Sequence, residues 1–315
     1  MKGIIIVPIV LGSTLLLAGG IVFGVALYKN SKNSTVETKE YKVEDIGEFN
    51  KFDINLTIAD LEFKTADTAK VVVEETKYDV HTVEVTSNTL TVKATDTRKW
   101  YEHIFNWNWF DKVKVTVYMP AGSYEDLKVK TATGNITVPA DYTFANFDIS
   151  VDTGNINNKA NVTDSIKAKT STGNINMDGV EAKSMELRTS TGDVKMKNIT
   201  LSGDFEANTS TGDVNCENMT CQNYTSKSST GDVNFKNVLV SNHVDIKNGT
   251  GHVKMVASDA DSLYIKTSTG GIRLELLSSK ICQVKNSTGK PVYPTSTTGG
   301  LCEVETSTGG INISW

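Results

Sequence analysis

The chain has 315 residues, a formal net charge of −5 and apolar residues at 38% of positions. That content suffices for one or two folded units. The acidic balance, the lack of any basic run and arginine confined to Arg98, Arg188 and Arg273 argue against a nucleic-acid partner.

From Gly3 to Leu27 no residue is charged, and Lys2 and Lys29 bound the stretch. It is long enough to cross a hydrocarbon core of about 30 Å with some tilt. It exceeds a signal-peptide apolar region, and no small-x-small cleavage site follows before Lys29. Residues 1–28 therefore read as an N-terminal transmembrane anchor, with a cleaved signal as the rival. Gly20 and Gly24 have the small-residue spacing of helix pairing, which also arises by chance. Flanking lysines on both sides leave the orientation open.

Residues 29–42 are polar, with little to bury, and read as a linker. Residues 43–122 are β-rich without a regular period and read as an irregular β cap, or as irregular coils continuous with residues 123–315. Phe52, Ile54, Leu56 and Ile58 alternate, Val71 to Glu74 is β-branched, and Thr82 to Lys93 reads as a hairpin around Ser87-Asn88. Val113, Val115 and Val117 form another strand, closed by Pro120-Ala-Gly122.

Residues 123–315 repeat. A Thr-Gly pair recurs with its glycine at Gly134, Gly154, Gly173, Gly192, Gly212, Gly231, Gly251, Gly270, Gly289 and Gly309, at intervals of 19 or 20 residues. Seven before the glycine stand residues such as Leu127, Ile166 and Phe205; five before, Val129, Leu187 and Ile246. Two after it stand Ile or Val in every copy except at Pro291; four after, residues such as Met177, Met196 and Phe235. Apolar residues two apart on either side of a glycine mean two strands with one face inward. Constant register favours coils stacked along an axis, each pairing its backbone with the coils above and below. The fold expected is all-β: a single-chain β-solenoid of about ten such coils, roughly 45–50 Å long at a strand spacing of about 4.8 Å.

These pieces carry a resemblance. Val115-Thr-Val-Tyr-Met-Pro-Ala-Gly122, Ser171-Thr-Gly-Asn-Ile175, Ser190-Thr-Gly-Asp-Val194, Ser210-Thr-Gly-Asp-Val214 and Ser229-Thr-Gly-Asp-Val233 resemble the bacterial putative-adhesin family of membrane-anchored β-strand-repeat surface proteins. The resemblance covers nearly everything after the linker and implies a surface-exposed solenoid with no catalytic residues to carry over. It is also what places the β portion outside the cell. The late coils depart from it at Gly270-Gly271, Gly289-Lys290-Pro291 and Gly309-Gly310.

Four local features bear on function. Trp100, Tyr101, Phe105, Trp107, Trp109 and Phe110 form an aromatic insertion that either docks on a partner or packs over the rod. Asp193, Asp213 and Asp232 follow successive corner glycines, as a cation-binding edge or as turn residues. Cys282 and Cys302 share one column a coil apart, within reach of a disulfide or as two buried thiols. Trp315 closes the chain with no evident cap, leaving an end that pairs with another copy or hides behind the indole. The four histidines have no metal-ligand spacing, the cysteines no zinc pattern, and no cofactor motif is present. The sequence thus points to a non-catalytic, single-pass cell-membrane protein with an adhesive or structural extracellular rod. Its candidate partners are a wall polymer, a glycan or a membrane protein. An envelope accessory protein and a carbohydrate-active β-helix enzyme are the alternatives.

Overall fold

Alternation of inward apolar and outward polar residues, interrupted every 19 or 20 positions by a glycine, leaves the backbone one economical course: strand, corner, strand, next layer. The computed structural model describes residues 36–42, 49–76, 78–97 and 113–315. Within them the chain is an all-β solenoid of about nine turns. The column two after the corner runs in parallel register from Ile136 through Ile156, Ile175 and Val194 to Ile272. Every member of that column is buried. The Gly3–Leu27 stretch and the aromatic insertion lie outside the described residues. No helix among the described residues is long and apolar enough to cross a membrane.

Why each corner carries glycine is visible at Gly192. Its φ is +143°, and a Cβ there would lie 2.0 Å from the carbonyl oxygen of Gly173, one layer below. No side chain fits that approach, so the stacking distance itself selects glycine. Inside the corner, Thr170 and Thr189 each donate a hydroxyl to the carbonyl of the glycine one coil back, Gly154 and Gly173, at 3.0 Å. The inward threonines thereby satisfy acceptors that would otherwise sit buried.

Eight strands build the N-terminal end: β1 (Glu37–Lys42), β2 (Lys51–Thr65), β3 (Lys70–Glu75), β4 (Asp79–Thr86), β5 (Thr89–Asp96), β6 (Val113–Met119), β7 (Gly122–Thr133) and β8 (Ile136–Val138). β1 lies wholly within the stretch 29–42 read as linker. β2 pairs in parallel with β7 and β8 on one side and with β5 and β6 on the other. The earliest coil in the sequence therefore lies one layer inside the coil that comes next in the chain. β4 and β5 form the expected hairpin, with Ser87 and Asn88 both at positive φ (50° and 63°) as a tight two-residue turn needs. β3 adds antiparallel to β6, and β1 to β3.

The other end uses the same trick with the chain direction reversed. Gly309, not Gly289, sits on Gly270: a Cβ at Gly309 would lie 2.1 Å from the Gly270 carbonyl. The strand Gly300–Thr308 pairs with Leu263–Thr269 on one side and with Lys280–Asn286 on the other. Ile311–Ser314 pairs with Ile272–Glu275. The last coil in the sequence is thus the second-last layer, and the coil holding Gly289 is outermost. Simple bottom-to-top stacking, the expectation from the repeat, fails here because Gly289-Lys290-Pro291 lacks the inward residue two after the corner. Among the described residues no strand pairs with the outer edge of Lys280–Asn286.

The core is continuous but not uniform. Phe52, Phe63, Tyr124, Tyr142 and Phe144 meet edge-on or tilted, with centroids 5.4–6.5 Å apart, at the N-terminal end. Aliphatic and Met columns fill the middle, joined by a second aromatic group of Phe205, Tyr224 and Phe235.

Candidate functional site

Because only alternate residues point outward, each outward position becomes a column running the length of the rod. Three of these columns matter.

The first, one after the corner glycine, is a corner ladder. Each side-chain oxygen accepts the backbone N–H of the equivalent residue one coil on: Asp60 from Asn135 (2.7 Å), Asn155 from Asn174 (2.8 Å), Asn174 from Asp193 (2.8 Å) and Asp193 from Asp213 (3.1 Å). Asp213 accepts from Asp232 at 2.8 Å, and Asp232 from His252 at 2.7 Å. The amide of Asp213, with burial opposing and Lys195 assisting, holds the Asp193 carboxyl below the usual carboxylate range. The Asp row is therefore explained by backbone bonding. Among the described residues no group of three His, Cys, Asp or Glu side chains is placed to hold a metal ion.

The second, five after the corner, alternates in sign. Asp178, Lys197, Glu217 and Lys236 pair directly in successive coils. Lys159 reaches Asp178 at 3.7 Å, and Lys236 reaches Glu217 at 2.7 Å. Lys236 lowers the Glu217 pKa accordingly.

The third, four before the corner, does the opposite. Lys130, Ser150, Lys169, Arg188, Asn208, Lys227, Lys247 and Lys266 stack in register. Lys169 lies against Arg188, and Lys227, Lys247 and Lys266 follow one another without a break. Arg188 contacts Glu186 and Glu206, Lys247 contacts Asp245, and Lys266 contacts Glu305. Lys130, Lys169 and Lys227 have no carboxylate at ion-pair distance among the described residues. Toward the corner stands a row of exposed serines (Ser171, Ser190, Ser210, Ser229) and then a threonine in every coil. Lys169, Arg188, Asn208, Lys227 and the serines between them line a shallow hollow of about 350 Å³. Sequence reading by columns seven and five before the corner passes over this one. Its members are 19 or 20 residues apart, so no basic run announces it.

Cys282 and Cys302 are register partners, as the column spacing implies, and both thiols are free. Burial pushes the Cys302 and Cys216 thiols up to about 12, so both stay protonated at neutral pH. Trp100, Tyr101, Phe105, Trp107, Trp109 and Phe110 fall outside the described residues, so the structure does not place them.

A buried polar group closes the N-terminal end. Glu75, 3% exposed, bonds Lys39 Nζ at 2.5 Å and accepts the backbone N–H of His81 at 2.8 Å. The His81 ring is fully buried, with Nδ1 3.7 Å from Glu75 and neither ring nitrogen hydrogen-bonded. Burial lowers its pKa against the pull of Asp79 and Glu75.

Several solved structures follow a similar course of chain. A putative adhesin of Bacteroides fragilis is 14% identical, aligned over 89% of this chain and 97% of its own, with a TM-score of 0.36. A putative adhesin of Parabacteroides distasonis is 12% identical over 89% and 98%, with a TM-score of 0.48. A putative lipid binding protein of the same species is 14% identical over 89% and 96%, with a TM-score of 0.44. No curated protein matches the sequence. The sequence does match one family in two overlapping passes, residues 49–220 and 202–315, which together take in the repeating coils. With its period, corners and register all accounted for, the chain belongs to the Toastrack DUF4097 family.

Proposed function

We propose that this chain is a non-catalytic rod on the cell surface, held at the membrane by the apolar stretch Gly3–Leu27, with its β portion outside and an adhesive or structural role. One observation carries the reading. The outward columns hold polar and charged side chains in register from coil to coil, which suits a ligand that extends along the rod rather than one small molecule in a pocket. The corner ladder and the interior threonines serve the stacking itself, leaving the outer columns free to vary with the ligand.

Protease shaving of intact cells carrying a tag after Trp315 tests the placement, and co-sedimentation with isolated cell-wall material tests the role. The tag should be lost from intact cells, and the chain should pellet with walls. A tag protected until the membrane is broken would overturn the outside placement. Failure to pellet with walls would overturn the adhesive role.

A further inference from the structure

We infer that the column four before the corner, with the serine and threonine rows beside it, is a binding strip for an extended carboxylate-bearing polysaccharide. The inference rests on the proposed function, since it names the polymer that such a displayed rod would engage.

The argument starts from electrostatics. Like charges directly opposite on neighbouring strands are unfavourable. Five after the corner the rod meets this problem by alternating sign, from Lys159 and Asp178 through Lys197 and Glu217 to Lys236. Four before the corner the same rod stacks Lys227, Lys247 and Lys266 directly on one another, and only then does Glu305 stand opposite Lys266 in the same column. Stacking of the coils therefore does not demand like charge in an outward column. A polyanion laid along the column removes the mutual repulsion of the lysines and releases its own counterions. The neighbouring carboxylates Glu186, Glu206 and Asp245 engage Arg188, Asn208 and Lys247 and lie two residues before the column, on the side away from the serines. Such exposed pairs hold little and yield easily to a competing anion.

Geometry selects the kind of polyanion. From Lys169 to Lys266 the strip covers five layer spacings, roughly 24 Å. Each layer is about 4.8 Å thick, close to the length of one sugar in an extended chain. Each layer also offers, beyond its cation or amide, a threonine and in most coils a serine hydroxyl to hydrogen-bond the sugar. No aromatic or large apolar residue stands in these three columns. A lipid surface would lack an anchor here, and nucleic-acid bases would lack a stacking platform.

The test uses the full-length chain and polygalacturonate as probe, followed by affinity electrophoresis at several salt concentrations. Wild type should be retarded, with the effect fading as salt rises. The triple variant Lys169→Ser/Lys227→Ser/Lys247→Ser should lose at least tenfold in affinity, and the corresponding Lys→Arg triple should keep it. An equal loss of charge on the other face, Lys195→Ser/Lys236→Ser/Lys254→Ser, should change affinity less than twofold. Thermal melting of all variants checks that the rod is intact. Retained binding in the first triple, or equal loss in the second, overturns the inference. Duplex DNA, polyphosphate or anionic vesicles bound as tightly as polygalacturonate would overturn the assignment to a carboxylate polymer. If wild type and the first triple pellet equally with isolated walls, this strip is wrong and the proposed function stands. If neither wall nor polymer is bound, both fall.

Discussion

The two ends of the rod share one topology and differ in how they meet water. At each end the terminal coil of the sequence is drawn one layer inward, and the coil adjacent to it in the chain is laid outside it. A chain terminus in a simple solenoid would be an edge strand, free to peel; here β2 and Gly300–Thr308 are each held on both sides. At the N-terminal end the outer layer is covered in turn by antiparallel β3 and β4 over an aromatic core. At the C-terminal end no strand among the described residues covers Lys280–Asn286, with Leu277, Ile281 and Val292 at 60%, 40% and 63% exposure. Lys285, Lys290, Pro291 and Pro294 instead guard that edge against strand addition. Lys280 is itself buried and paired with Asp259 at 2.7 Å. One end is thus closed by chain and the other only by residue choice, so the two should fail under different perturbations.

The sharpest way to break the comparison is at the corners. Gly270→Ala sets a Cβ 1.9 Å from the Gly251 carbonyl and should cost ~4 kcal/mol or more. Gly289→Ala meets nothing closer than 3.6 Å and loses only what its positive φ costs, about 1 kcal/mol. Urea unfolding of the two variants checks this; similar losses would mean that Gly289 is stacked like the rest.

Next come the cores of the two ends. Phe63→Ala removes a fully buried ring packed against Phe52, Tyr142 and Phe144, and should cost about 3–5 kcal/mol. Val284→Ala, on the half-exposed outer strand, should cost about 1 kcal/mol. Equal midpoint shifts would show that the outer strand is as well buried as β2.

The smallest effect is in pH. His81 is buried as the neutral ring with its pKa lowered, so the unfolded chain takes up a proton that the folded end refuses. Stability from this source is full above the ordinary imidazole value of about 6.5 and is lost as pH falls below it. Hydrogen exchange in residues 70–96, corrected for intrinsic rates, should quicken from pH 7 to 5.5 while residues 280–286 hold steady. His81→Phe should remove the difference. Equal quickening at both ends would assign the effect elsewhere.

Much of this architecture is legible in the sequence. The Ile/Val column and the Ser87-Asn88 hairpin follow from local pattern, because alternation and glycine period act on neighbouring residues. The corner Asp row is legible as turn chemistry, though not that each oxygen serves the amide one coil on. The cation column is present in the sequence yet escapes a search for basic runs, since charge there accumulates across coils. The aromatic insertion, with Trp107 and Trp109, lies outside the described residues and stays an expectation.

By itself, then, the sequence determined the period, the inward columns and the residues that turn each corner, since these depend on contacts within a coil and on its repetition. The order of the layers at each end was decided only by the tertiary structure. Every coil offers nearly the same register to every other, so repetition cannot say which coil lies on which. Burial of the terminal strands and the defect at Gly289-Lys290-Pro291 settle that order.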